Sequence, residues 1–238
     1  MGGNASKTIA EVSDKGPFTF IYFPIEGAGE KVRLAFVLAG IPFEDKRLPF
    51  DQWAAYKPKT KFGQVPILQI GDGEELYQSS AQLKYVALAA PASGLYPADD
   101  PAKCVLIDEM IGLCGDFQQA WTPCVYANMR PQAYGYDADM PADEKAALVQ
   151  KLRANFLAET LPRFAGYFAK ALDDGKKKFL CGATPTIADC YALPMFRYYT
   201  KGIADGIPSD CLKPYPVITA YIDRMMALEP IAKWYADK

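Results

Sequence analysis

The chain has 238 residues, half of them hydrophobic and 23% charged, with 26 basic against 28 acidic side chains for a formal net charge of −2. That is apolar material enough for one large or two small globular domains, and it excludes bulk disorder and the basic excess of a nucleic-acid binder. The sequence contains no histidine, which removes Ser-His-Asp and Cys-His catalysis, histidine general bases and His-containing metal sites together.

Any acid–base work must fall to Tyr, Cys, Lys or carboxylates. Cysteines stand at 104, 114, 124, 181, 190 and 211, and no two have C-x-x-C spacing. They read as reduced core thiols of a cytosolic protein, not as a zinc ribbon or a redox pair. No apolar run reaches the ~18 residues of a membrane span, and no secretory apolar stretch follows Met1.

Residues 1–17 are polar and aperiodic and are expected to form a flexible tail. Phe18 to Phe23 (FTFIYF) is a β-rich run, hence a buried strand. Residues 29–39 place Val32, Ala35 and Leu38 at helical spacing, and Gly40 follows as a stop. Residues 42–49 suggest a second strand, Pro66 to Ile70 a third and Glu74 to Tyr77 a fourth. Between the last two, Asp72-Gly73 is expected to supply the positive φ angles of a hairpin turn. Ser79 opens a helix to about Ala89, with Gln82 placed for a capping box. Residues 18–90 thus read as a small mixed-sheet α/β unit, and residues 91–100 (PASGLYPADD) have the composition of a linker.

After residue 101 the pattern is helical. Ile107, Met110, Ile111, Cys114 and Phe117 form one apolar stripe. A second runs from Leu148 to Leu172, interrupted by Pro162, which should kink or break it. Residues 122–141 read as an unusually long connection between the two. Thr186-Ile187-Ala188-Asp189 is a capping box opening a further helix, and residues 216–235 hold one or two more.

Several groups could carry chemistry. Gly27-Ala28-Gly29 follows a strand and precedes a helix, but Val32 replaces the third glycine of a dinucleotide fingerprint, so it reads as a turn. Gln78-Ser79 marks a helix N-terminus, whose free N–H groups and positive dipole end suit a carboxylate or phosphate. Pro66 opens a strand. X–Pro bonds are cis in only about 5–6% of cases, so a trans turn is the commoner form. A cis bond would turn the Val65 N–H and C=O toward an extended ligand. Tyr22 alone reads as a core aromatic with a bonded hydroxyl. Trp53 and Lys57 share one face of a short helix, and Asp116 reads as a solvated carboxylate.

Taken in order, Tyr22-Phe23, Glu30 with Val32-Arg33, Trp53 with Lys57, Phe62-Gly63-Gln64-Val65-Pro66-Ile67-Leu68 and Gln78-Ser79 resemble the glutathione S-transferases. The sigma class, which includes glutathione-dependent prostaglandin D synthases and lens S-crystallins, is the most similar. The resemblance covers residues 18–90 and continues more weakly through Asp116-Phe117 and Thr186–Asp189. It implies a thioredoxin-like α/β N-terminal domain over 18–90, a linker over 91–100, an all-α C-terminal domain over 101–238, and a homodimer. It also implies that Tyr22 is the catalytic tyrosine and that Trp53 and Lys57 hold the glycyl end of glutathione. Gln64 and Val65, with a cis Pro66, would lie beside the cysteinyl part, and Gln78 and Ser79 would take the γ-glutamyl carboxylate. Asp116 would reach into the neighbouring subunit's site. A tyrosine hydroxyl donating to the sulfur lowers the thiol's pKa, and this needs no histidine. The chain departs from the family pattern in two respects. Ala28 stands where many members carry an arginine behind the tyrosine. Gly112 and Gly115 interrupt an acidic cluster that binds a divalent metal in some prostaglandin synthases, so no metal is expected.

The resulting expectation is a cytoplasmic glutathione transferase that adds glutathione to electrophiles or reduces hydroperoxides with it. A glutathione-dependent isomerase and a non-enzymatic structural protein on the same fold are the alternatives. Phe23, Ile25 and Trp121 are expected at the electrophile pocket, together with the Gly112–Trp121 region. The 122–141 connection could roof that pocket or extend the dimer surface. Residues 1–7 (MGGNASK) match the myristoylation pattern M-G-x-x-x-[ST], with Gly2 as acceptor and Ser6 in place. One such chain, without a polybasic run or a second lipidated cysteine, gives only weak, reversible membrane association.

Overall fold

The computed structural model describes residues 16–71 and 73–236. Strand β1, Phe18–Tyr22, divides its side chains by the period of two: Phe18, Phe20 and Tyr22 enter one core and Ile21 another. It pairs in parallel with β2 (Glu44–Arg47) and antiparallel with β3 (Ile67–Ile70), which pairs antiparallel with β4 (Glu74–Leu76). The order β2-β1-β3-β4 leaves the charged strands EDKR and EEL at the edges and the apolar ones inside. Charged edges resist pairing with another chain.

Helix α1, Glu30–Ala39, lies between the sheet and the helical half of the chain. Seven of its first seven residues, Glu30 through Phe36, are buried, including three charged ones. Gly40 ends it at φ 66°, its N–H reaching the carbonyls of Phe36 and Val37, as the sequence expects of a glycine stop. A short α2, Trp53–Tyr56, follows β2. In the β3–β4 turn Gly71 (φ 54°) and Gly73 (φ 135°) carry the positive angles, while Asp72 lies outside the described residues. Helix α3, Ser79–Ala89, packs on α1. Gln82 forms no capping box there. It is fully buried, and its amide turns inward.

The connection over 91–100 is pinned to the helical half: Leu95 is buried and its carbonyl accepts the Ile187 N–H at 3.0 Å. Helix α4 spans Pro101–Tyr126 with Pro123 inside it, so the expected long connection shortens to 127–141. Helix α5, Ala142–Asn155, continues through one π-helical turn, Phe156–Thr160, into α6, Leu161–Ala171. Pro162 therefore neither breaks nor ends this helical run. The wider turn accommodates its ring and its missing N–H. Helix α7, Ile187–Thr200, is the central post, with α8 (Pro216–Met226) and α9 (Glu229–Ala236) behind it. Its capping box forms as read, and Asp189 accepts further bonds from Leu180 N–H (2.9 Å) and the Tyr221 hydroxyl (3.0 Å). Among the described residues no helix is long and apolar enough to cross a membrane.

Candidate active site

Strand register gathers the candidates. Tyr22 ends β1, opposite Arg47 at the end of parallel β2, and Ile21 faces Ile67 at the start of β3. Leu76 ends β4 opposite Leu68. Tyr22, the chain leading to Trp53, the Val65-Pro66 step and the Gln78-Ser79 corner therefore share one end of the sheet. The Val65–Pro66 bond is cis, the form that the resemblance implies rather than the commoner one. Beneath this end, Trp53 and Val65 border the small cluster of Ile21, Leu48, Ile67 and Tyr77. Lys57, Gln64 and Gln78 are exposed, and Ser79 is half-buried. Gln78, not Ser79, caps α3, and it does so at φ 69°, a left-handed backbone that costs a non-glycine residue energy. Its side chain makes no capping bond, so the first N–H groups of α3 stay available.

Tyr22 is 7% exposed. Its oxygen accepts the Ala28 N–H at 3.0 Å, which leaves the phenolic proton free to donate elsewhere. Burial pushes its pKa above the ordinary value, outweighing the Ala28 N–H that pulls it down, so the phenol is neutral at physiological pH. The glycines at 27 and 29 are explained by the same ring. A Cβ at Gly27 would lie 2.6 Å from the Tyr22 oxygen, and one at Gly29 2.5 Å from its Cδ1.

The loop after Tyr22 is held by a residue whose role the sequence does not reveal. Arg33, fully buried on α1, donates to the carbonyls of Ile25 (2.8 Å) and Phe23 (3.3 Å). It also pairs with Glu30 (3.2 Å) and Asp45 (2.9 Å). Trp234 of α9 donates to Glu30 at 2.8 Å and closes the cluster from behind. Gln82 is a second such residue. Its amide donates to the carbonyls of Pro66 (2.9 Å) and Leu76 (2.7 Å), which ties α3 to both segments that border it. Neither carries a distinct signal in the sequence, since Arg33 follows Glu30 and Lys31, and Gln82 lies between Ser79-Ser80 and Lys84.

A cavity of about 280 Å³ opens beside Tyr22, between the 25–28 loop, α4 and α7. Ile25 and Trp121 line it, and so do Thr122, Val125 and Tyr126, the first residues of the segment read as a connection. Phe23 is not in its wall. It stacks on Phe50 (4.8 Å between ring centres) and meets Trp53 edge-on (5.5 Å). Asp116 also lies away from the cavity, in a second depression with Gly112 and Tyr167 on another face of α4. Among the described residues no three Cys, Asp or Glu side chains are grouped to hold a metal ion. Gly2 lies outside the described residues.

Residues 18–88 match the glutathione S-transferase N-terminal domain family, and residues 137–238 the glutathione S-transferase C-terminal domain family. The chain is 28% identical to glutathione S-transferase 1 of Ascaris suum, over 93% of this chain and 96% of that one. It is 30% identical to the hematopoietic prostaglandin D synthase of Gallus gallus, over 91% of this chain and 94% of that one. Among solved structures, prostaglandin synthase D of Nilaparvata lugens superposes with a TM-score of 0.75 at 25% identity, covering 94% of this chain and 98% of that one.

Proposed function

The chain belongs to the glutathione S-transferase family, and we propose that Tyr22 is the residue that activates the sulfur of its co-substrate, glutathione. The observation that carries this reading is the state of the phenol: neutral, with its oxygen already bonded to Ala28 N–H and its own proton free at the cavity. Donating that proton to the sulfur stabilises the thiolate, and the thiol proton leaves to solvent. The thiolate then attacks an electrophile held in the cavity by Ile25 and Trp121, or the terminal oxygen of a hydroperoxide, whose O–O bond breaks to release the alcohol and leave a glutathione sulfenic acid that a second glutathione converts to the disulfide and water. The Ala28 N–H does part of what an arginine side chain would do at that position, since it fixes the phenol's orientation.

The glutathione-binding unit is residues 18–90. The α3 N-terminus at Gln78-Ser79 takes the γ-glutamyl carboxylate, Gln64 and the Val65 backbone beside Pro66 take the cysteinyl part, and Trp53 and Lys57 take the glycyl end. The protein is a cytoplasmic homodimer in which Asp116 serves the partner's site. Its place on the face of α4 away from its own cavity supports this. Myristoylation of Gly2 belongs to the same proposal, with intact mass of native protein as its check. The decisive experiment is Tyr22→Phe assayed with glutathione and chlorodinitrobenzene. Turnover falls roughly 10- to 1000-fold, the range of a lost transition-state hydrogen bond. The thiolate absorbance of the glutathione complex moves to higher pH while glutathione still binds. A variant with full activity and an unmoved absorbance would assign the activation to another group.

A further inference from the structure

The cavity wall contains a charge that thiol activation does not use. Lys31, on the first turn of α1, is 5% exposed and lines the cavity together with Tyr22. Its Nζ stands 3.5 Å from the centre of the Tyr191 ring. That ring is held by its hydroxyl, which donates to Gln118 at 2.8 Å. Among the described residues Lys31 Nζ has no ion pair and no hydrogen bond. The carboxylate in the same wall, Glu26, is already taken by Arg197 at 3.0 Å and by Lys201. The remaining walls are largely apolar, with Ile25, Trp121, Val125 and Met195 among them.

A buried ammonium facing one aromatic ring is stabilised but not neutralised. Burial draws the amine down to about 8, so most of it still carries its proton at neutral pH. A cation in an apolar pocket with no protein counter-ion is complementary to a ligand that brings one. We propose that Lys31 is the specificity residue of this cavity and that the preferred electrophile is an amphipathic carboxylic acid. Its carboxylate rests on Lys31 Nζ, its apolar body lies against Trp121 and Val125, and its reactive atom points toward Tyr22. The inference rests on the assignment of Tyr22 above and names the substrate class for the same site.

The test uses the full chain with glutathione bound and an unreactive pair of probes, 4-phenylbutanoic acid and its methyl ester. Inhibition of chlorodinitrobenzene conjugation reads their affinities. The wild type binds the acid on the order of tenfold tighter than the ester, the worth of one charge-assisted hydrogen bond. Lys31→Met removes the preference, and Lys31→Arg keeps it. An ester that binds the wild type as well as the acid does overturns the proposal whatever the variants do, as does a Lys31→Met protein that still prefers the acid. Chlorodinitrobenzene itself carries no acid. Its turnover by the wild type, with loss in Tyr22→Phe, upholds the Tyr22 assignment independently of the acid-to-ester ratio.

Discussion

At Gly29 a methyl group would stand 2.5 Å from Cδ1 of Tyr22 and 2.9 Å from its Cγ, although the backbone there, at φ −81°, suits any residue. Gly29→Ala therefore isolates the contact with the tyrosine ring from backbone strain. Overpacking of this kind costs about 1–3 kcal/mol, and a ring displaced by even part of an ångström misplaces its hydroxyl. The variant should melt lower and lose at least about tenfold in kcat, while glutathione binding measured by calorimetry changes less. Lys31 gives a pH-dependent prediction. Its amine titrates near 8 in the folded protein against 10.5 when unfolded, and the titratable groups against it, Tyr191 and Cys114, are both pushed upward by burial and stay neutral. The unfolded chain thus binds more protons between these two values, so the cost of burying Lys31 is full below about pH 8 and fades as pH rises toward 10.5. Lys31→Met should stabilise the protein by up to about 3 kcal/mol at pH 7. Thermal melts at pH 7 and pH 10 check this, and the gain over wild type should shrink at the higher pH.

Helix α3 shows how one element sets a site that it borders only at its tip. Its N-terminus at Gln78 takes a left-handed angle, and Gln82, one turn on, reaches back to Pro66 and Leu76. The helix end and the cis-proline segment are thereby held at a fixed separation. Gln82→Leu removes two hydrogen bonds and leaves two carbonyls short of a donor, costing about 1–3 kcal/mol. The expected kinetic signature is a several-fold higher KM for glutathione with a smaller change in kcat, because Tyr22 is not touched. Equal losses in both would place Gln82 in the reacting geometry itself. Helix α7 is anchored in a similar way at its own start. Fully buried Asp189 accepts from Thr186 N–H, Leu180 N–H and the Tyr221 hydroxyl, which joins the first turn of α7 to the 180 loop and to α8.

At the scale of the whole molecule, the two halves meet along α1, which packs on α3 in one half and on α7 in the other. The cavity lies on this seam and takes Tyr22 and Lys31 from one half and Trp121 and Tyr191 from the other. Asp116 points elsewhere, and a role in the partner's site predicts complementation between subunits. Co-expressed Asp116→Ala and Tyr22→Phe chains should form mixed dimers with one intact site each, about half as active as wild type and far above either homodimer. Sedimentation must show a dimer in the same samples. Mixed dimers no more active than the parents would return Asp116 to its own chain or to the solvent.

By itself the sequence determined the elements and their order. Apolar alternation in FTFIY, the Gly40 stop and the Thr186–Asp189 capping box act within a few residues, and local patterns express such forces directly. Through family motifs it also grouped Tyr22, Trp53, Val65-Pro66 and Gln78-Ser79, segments that the strand register brings to one end of the sheet. Tertiary structure alone decided what those residues touch. Whether Pro162 breaks a helix depends on a π turn that packs Phe156 against Phe117 at 5.6 Å. Whether Phe23 faces the cavity depends on Phe50 and Trp53 claiming its ring first. Arg33, Gln82 and Lys31 are ordinary polar residues in the sequence, and their roles arise from burial and from partners distant in the chain. For Lys31 the deciding fact is that an aromatic ring, Tyr191, and no carboxylate among the described residues meets its ammonium. A long-range packing arrangement chose which charges were paired within the fold and left this one in the cavity wall without an ion pair among the described residues.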